Sequence, residues 1–317
     1  MTRYWIGRVV QALILLAGVS VLVFVVLRLS PGDPSTLLAD PSFLSDQQRA
    51  ELRASLGLDE PWPTQYAKTM VALFSGDLRS FRTKEPTAAM IANAFPVTLS
   101  VGLVGMLLAI AVSVPLGAAA ARRPGGLIDR ILSLSIVVAI SFPSFVLALF
   151  LIRWFAEEWR ILPASGFRPA GVTSVNPFVI LPHLVMPAVV TAFPLAAILG
   201  RYVRDAVRDV LSEDYVRTAR GKGLPGRLVQ WRHVFPNALV AIVSVVGTIT
   251  PLLLGGSVIV ETLFGLPGLG RITVQGALQR DYPVVMATTL FTAVLVVAAN
   301  FVTDVVYGLV DPRIRLQ

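Results

Sequence analysis

Cysteine is absent from this chain, which removes disulfides, thiolate nucleophiles and cysteine-based metal sites from consideration. Histidine is nearly absent. His183 and His233 are the only two, one at the start of an apolar run and the other in the basic loop that follows it, so they cannot share a metal ion. Neither His-Glu-x-x-His nor Gly-x-Ser-x-Gly occurs. Arg220-Gly221-Lys222-Gly223 lacks the earlier glycine and the following Ser or Thr of a phosphate-cradling loop. The chain is therefore read as having no catalysis, no ATP hydrolysis and no cofactor or metal of its own. Alternating polar and apolar strands are missing, which excludes a transmembrane barrel. Charge is scarce as well: 15% of residues are charged against 55% hydrophobic, and the mean hydropathy of +0.73 excludes an ordinary soluble domain.

What the chain has in quantity is long apolar runs, near residues 9–28, 97–121, 131–152, 178–200, 237–260 and 284–308. Each is long enough to cross a hydrocarbon core of about 30 Å, so the expectation is an all-α membrane protein with six transmembrane helices. Residues 1–29 are basic and then apolar without an Ala-x-Ala-like exit, which reads as a retained anchor and not a cleaved signal.

Lys and Arg mark the orientation. Arg3 and Arg8 precede the first run, Arg122, Arg123 and Arg130 join the second to the third, and Arg313 and Arg315 follow the last. The loop between the fourth and fifth runs adds Arg201, Arg204, Arg208, Arg217, Arg220, Lys222, Arg227 and Arg232. With six spans these all lie on one side, which makes that side, and both termini, cytoplasmic. Residues 30–95 hold more acids than bases and are expected outside. The pI of 10.4 follows from this topology. No soluble platform carries interleaved aromatics, so nucleic acid is excluded as a partner and the lipid bilayer is the expected surrounding.

The outer segment carries helix start and stop signals. Ser45 caps a helix to Leu56 closed by Gly57, Pro63 opens another that stops before Gly76, and a third runs from Pro86 to Ala94, ended by Pro96. Such a segment either closes a pathway, receives a partner or packs over the helix ends. Pro115, Pro143, Pro187, Pro194 and Pro251 mark spans that bend inside a bundle. Gly102, Gly105, Gly117, Gly247, Gly255 and Gly256 permit close helix approach. The stretch Glu261–Pro283 contains GLPGLG, which lacks the strand and βαβ context of a dinucleotide site and reads as a re-entrant or capping loop. Asp304 is the candidate for ion coupling, although its position near the inner end of the last run makes pairing with an internal arginine the simpler account.

The most informative stretch is the basic island Ser212–Ala238. Ser212 is read as a helix N-cap, Glu213 and Asp214 as first-turn acids, Arg217, Arg220 and Lys222 as late-turn bases, Gly223 as the left-handed close and Pro225 as a stop. A helix of about ten residues is too short to stand alone in water and needs a surface to pack against. Val216, Ala219 and Arg220 share one face with Tyr215 and Thr218 beside it. That face suits a shallow partner groove or anionic headgroups equally well.

This loop resembles the EAA-type coupling loop of bacterial ABC importer permeases, which places a glycine thirteen residues before a proline, as Gly223 and Pro236 stand here. Ala219 matches the second alanine, while Arg217 and Thr218 depart from the pattern in the way typical of one branch. YVRTARGKGL resembles the peptide and nickel permease branch. LRLSPGDP, QYAKTMVALFSGDL, AFPVTLSVG, Pro143 to Phe145, ETLFGLPGLG, RDYP and the terminal DPRIR look like the B-type permease subunit of oligopeptide and dipeptide importers.

The resemblance implies a type I importer (MetI-like) permease fold in a bacterial inner membrane. Its expected divisions are a first helix over 1–29, an external segment over 30–95, a core over 96–310 with a coupling loop at 201–236, and a cytoplasmic tail at 311–317. It implies a C-type permease partner, two ATPase subunits that bind ATP and Mg, an external peptide-binding protein and a peptide substrate, with the four membrane and ATPase subunits as a heterotetrameric core. Tyr215, Arg217, Thr218, Ala219, Arg220, Gly223, Leu224 and Pro236 are the expected coupling residues. Glu261, Gly265, Leu266, Pro267, Gly268, Asp281 and Tyr282 are expected at an external gate or binding-protein contact. The alternatives are a nickel-chelate, glutathione or haem permease of the same family, or an ion-coupled secondary transporter.

Overall fold

An apolar run can cross lipid only if every backbone N–H and C=O is satisfied within the segment, which makes helices the outcome here. The computed structural model describes residues 2–31, 34, 45–169, 171–172, 176–254 and 258–310. Gly255, Gly256, the tail at 311–317 with DPRIR, and Gly32 and Asp33 of LRLSPGDP lie outside the described residues. Five helices are long and apolar enough to span: Ile6–Leu29, Thr87–Arg122, Pro177–Ser212, Gly226–Thr250 and Tyr282–Val306. Among the described residues no strand forms beyond one isolated bridge between Arg79 and Pro86. The contacts divide the chain into two units, residues 1–98 with 267–297, and residues 99–266 with 298–317.

The first unit begins with α1 (Thr2–Leu29), followed by α2 (Asp46–Ser55) and α3 (Trp62–Ser75). A capping box starts α2: Gln48 N–H donates to Ser45 Oγ, and the Ser45 N–H donates to Gln48 Oε1. Gly57 follows it at φ +66°, and Gly76 ends α3 at φ +79°. Phe24 of α1 meets Tyr66 of α3 edge-on at 5.4 Å, and Ser20 Oγ lies 2.7 Å from the Tyr66 hydroxyl. These residues pack with Met286 and Leu290 of α13 (Tyr282–Val310). A second cluster joins Leu78, Ile91 and Ala94 to Ala287 and to Leu269 of α12 (Leu269–Leu278).

Pro96 does not end a helix. α4 runs unbroken from Thr87 to Arg122. An internal proline costs about 3 kcal/mol through a lost hydrogen bond and a ring clash. Burial of Ile91, Val97 and Val101 at about 1.5 kcal/mol or more per side chain outweighs that.

In the second unit the third expected span is not one rod. α5 (Leu127–Ser141) and α6 (Ser144–Leu151), which continues as a π-helical turn over Ile152–Glu158, meet at 102°. The break falls where Pro143 forces the preceding Phe142 into extended backbone at φ −100°, ψ 113°. α7 (Pro177–Ser212) is 36 residues long and carries Pro182, Pro187 and Pro194 inside it. It crosses α4 so closely at Gly117 that a Cβ there would stand 2.6 Å from the Gly200 carbonyl and 2.8 Å from Val203 Cβ. Arg204 of α7 donates to Asp129 of α5 at 2.9 Å, and Asp129 also accepts from Gly125 N–H. His183 Nδ1 lies 2.9 Å from the Gly166 carbonyl, which occupies the ring in holding a loop. The unit continues with α8 (Asp214–Gly221), α9 (Gly226–Val229), a π-helical turn (Gln230–Val234), α10 (Phe235–Leu254) and α11 (Val258–Leu263).

Candidate functional site on the coupling helix

Ser212 is not the cap of α8. Its hydroxyl donates back to the Asp209 carbonyl at 2.6 Å, a local bond that serines make readily at helix ends, and Ser212 finishes α7. Glu213 takes the cap position with φ −68° and ψ 145°, and no side chain caps the helix. Asp214 remains as first-turn acid and Arg220 as last-turn base, both favourable to the helix dipole. Gly223 closes the helix at φ +77°: its N–H donates to Arg220 O at 2.9 Å and Leu224 N–H reaches Ala219 O at 3.4 Å, the paired bonds of a Schellman motif. Pro225 is not a stop but the cap of α9, which begins one residue later.

The inward face is Val216, fully buried, and Ala219, 6% exposed, packed on Val203, Val207, Val229 and Val234 of the same unit with Leu224 alongside. Val216 and Ala219 therefore do not offer a surface to another molecule. Periodicity marked the apolar face correctly, but it carries no information on whether that face is covered from within or without. Tyr215, Arg217, Thr218, Arg220 and Gly223 are exposed. Arg217 pairs with Asp214 at 3.4 Å, with side chains 72% and 96% exposed, so this pair contributes little to folding. Burial pushes the Tyr215 phenol above its ordinary value, and Glu213 adds to the shift, so the hydroxyl remains a neutral donor at physiological pH. Pro236 is exposed at the start of α10, and Asn237 Nδ2 donates to the His233 carbonyl at 2.7 Å in the turn behind it.

The residues expected at an external contact have a different setting. Glu261, Leu266, Gly268, Asp281 and Tyr282 are buried within the chain, Gly265 is half-buried at φ +60°, and Pro267 alone of the seven is exposed. Asp281 is a structural clasp. It accepts from Ser80 Oγ, from Phe81 N–H at 3.0 Å and from Arg82 N–H at 3.4 Å, tying the start of α13 to the loop before α4. Sequence reading missed this bond because its partners are two hundred positions apart. In the neighbouring turn, Leu269 N–H donates to Thr98 Oγ1 at 2.8 Å.

Residues 113–316 match the model of the binding-protein-dependent transport system inner membrane component, and residues 1–102 match that of its N-terminal region. The chain belongs to this family. As an inner membrane component of that kind it is a multi-pass transport subunit and not an enzyme. It is similar to the oligopeptide transport system permease protein AppB of Bacillus subtilis, 38% identical over 99% of this chain and 100% of the relative. It is also similar to a probable peptide ABC transporter permease protein, y4tP, of Sinorhizobium fredii, 36% identical over 98% and 99%. Among solved structures it resembles an inward-facing MetNI methionine ABC transporter at TM-score 0.57 and 19% identity, over 72% of this chain and 99% of that one. An amino acid ABC transporter crystallised with histidines gives TM-score 0.52 and 16% identity over 69% and 94%. The fold is that of a type I, MetI-like importer permease.

Proposed function

We propose that this inner membrane component is the B-type permease of an ABC importer that carries di- or oligopeptides into the cytoplasm. Relatives named as oligopeptide or peptide permeases over their full length support the substrate class. The nickel-chelate, glutathione, haem and ion-coupled alternatives have no comparable support.

The observation that carries the mechanism is the division of α8 into two faces. Val216 and Ala219 anchor it in the unit's core, while Tyr215, Arg217, Thr218 and Arg220 project outward. A short helix fixed on one side behaves as a rigid knob. It docks in a cleft of one of two ATPase subunits, which hold ATP and Mg. Closure of the ATPases pushes α8, and the push passes into α7 and the helical run over 226–254. The basic loops support a cytoplasmic position for this face and both termini by the positive-inside rule, with α2 and α3 outside beside the peptide-binding protein. A C-type permease supplies the other half of the pathway.

The test is peptide-stimulated ATP hydrolysis by the complex in proteoliposomes, with and without Gly223→Val, across di- to oligopeptides and a nickel chelate. Peptide stimulation that Gly223→Val abolishes while assembly persists is expected. Stimulation by the chelate alone overturns the substrate reading. Full stimulation and uptake in the Gly223→Val complex overturns the coupling role of α8.

A further inference from the structure

Beside the exposed face of α8 lies a cavity of about 610 Å³ whose walls include Arg122, Arg220, Arg227, Gly226, Gln230 and Trp231. Three of these side chains are guanidinium groups, and no Asp or Glu lines the space. Arg122 donates through Nε to Gln230 Oε1, and Gln230 is only 9% exposed. That bond aims the arginine while leaving the two terminal amino groups of its fork for another acceptor. Trp231 is 60% exposed, with its ring tilted against Phe235 at 5.2 Å. Gly226 adds no side chain to fill the space.

Position in the membrane narrows the ligand. Arg122 is the last residue of one membrane-length helix, and Trp231 stands in the early turns of another, Gly226–Thr250. The cavity is therefore at the level of the headgroups, where an indole sits with its apolar body down and its N–H toward water. Basic pockets between helix ends at this level suit anionic headgroups, and each arginine near the surface adds about 1 kcal/mol of attraction. We propose that this cavity binds the phosphate-bearing headgroup of an anionic phospholipid. The lipid bridges the end of α4, the coupling helix through Arg220, and the start of the helical run into α10. It holds the knob against the membrane bundle, so anionic lipid content sets how firmly α8 transmits its push. The site rests on the membrane setting of the chain, and only its assignment to the cytoplasmic leaflet rests on the orientation proposed above.

Native mass spectrometry of the assembled complex in detergent, titrated with phosphatidylglycerol or with phosphatidylcholine of the same chains, reads the binding. Preferential retention of phosphatidylglycerol is expected, falling about five-fold per arginine in Arg122→Gln/Arg227→Gln. Arg122→Lys/Arg227→Lys should restore most of it, and Arg123→Gln/Arg130→Gln, with the same loss of charge elsewhere, should leave it intact. Equal retention of both lipids overturns the proposal. So does an equal fall in the Arg123/Arg130 variant, or displacement by millimolar inorganic phosphate. Peptide stimulation of ATPase activity, measured on the same wild-type complex, separates the two readings: stimulation without lipid preference sinks only the headgroup site, and lipid preference without stimulation sinks only the substrate class.

Discussion

Two turns of the second unit close in the same way and stand in opposite surroundings. After α8, Gly223 N–H bonds to Arg220 O and Leu224 N–H to Ala219 O; after α11, Gly265 N–H bonds to Thr262 O and Leu266 N–H to Glu261 O. Both glycines have positive φ, and both are followed by leucine. Around the first turn four polar or aromatic side chains face outward, whereas around the second Val260, Glu261, Phe264 and Leu266 are all no more than 1% exposed. The backbone device is therefore neutral with respect to function. What distinguishes the two turns is which side chains the closed turn leaves outside.

The comparison breaks most sharply at the leucines. Leu266→Ala empties a fully buried site and should cost about 3 kcal/mol, whereas Leu224→Ala, at a half-buried position, should cost about 1 kcal/mol; thermal unfolding of the purified complex reads both. Next comes the clasp. Asp281→Ala leaves the Ser80 hydroxyl and the Phe81 N–H without their buried acceptor and should destabilise by about 2.5 kcal/mol, visible as a lower melting temperature and as protease cleavage near residue 80.

Gly223→Val meets no atom within 4 Å, so its cost is the left-handed backbone alone, about 2 kcal/mol for a β-branched residue. Coupled ATPase activity should be lost with membrane insertion intact, and Gly223→Asn, which tolerates that conformation, should recover part of it. Arg217→Gln should leave unfolding unchanged and weaken ATPase association by about five-fold, measured by pull-down at graded concentrations. Smallest is Ser212→Ala, which should change stability by less than about 0.5 kcal/mol, since Ser212 caps nothing.

The signals that read correctly from sequence are those written in a few adjacent residues. Ser45 at the start of a helix closed by Gly57, Pro63 with Gly76, and Gly223 at the close of α8 each express the backbone preference of the residue itself. The apolar length of the spans is equally local. The misreadings share a different cause. Pro96 lost to the packing of its own helix, and Ser212 formed a bond one turn back in place of a cap. Val216 and Ala219 are small residues on a helix face, a pattern that suits a partner groove and an internal seam alike. Asp281 looked like a surface residue of a polar loop, and only the fold brings Ser80 and Phe81 to it. Local chemistry was legible, and the question of what covers a face was not.

The length of α7 has a mechanical meaning. Thirty-six residues at a rise of 1.5 Å give a rod of about 54 Å, against a hydrocarbon thickness of about 30 Å. The rod is nearly twice as long as the oily layer is thick, and α8 is fastened to its C-terminal part through Val203, Val207 and Val216. Such a rod is a lever. If it swings by about 10° as a rigid piece, its far end moves by about 9 Å, more than the width of a side chain, so a modest tilt imposed at the eight residues of α8 is magnified at the opposite end of the rod.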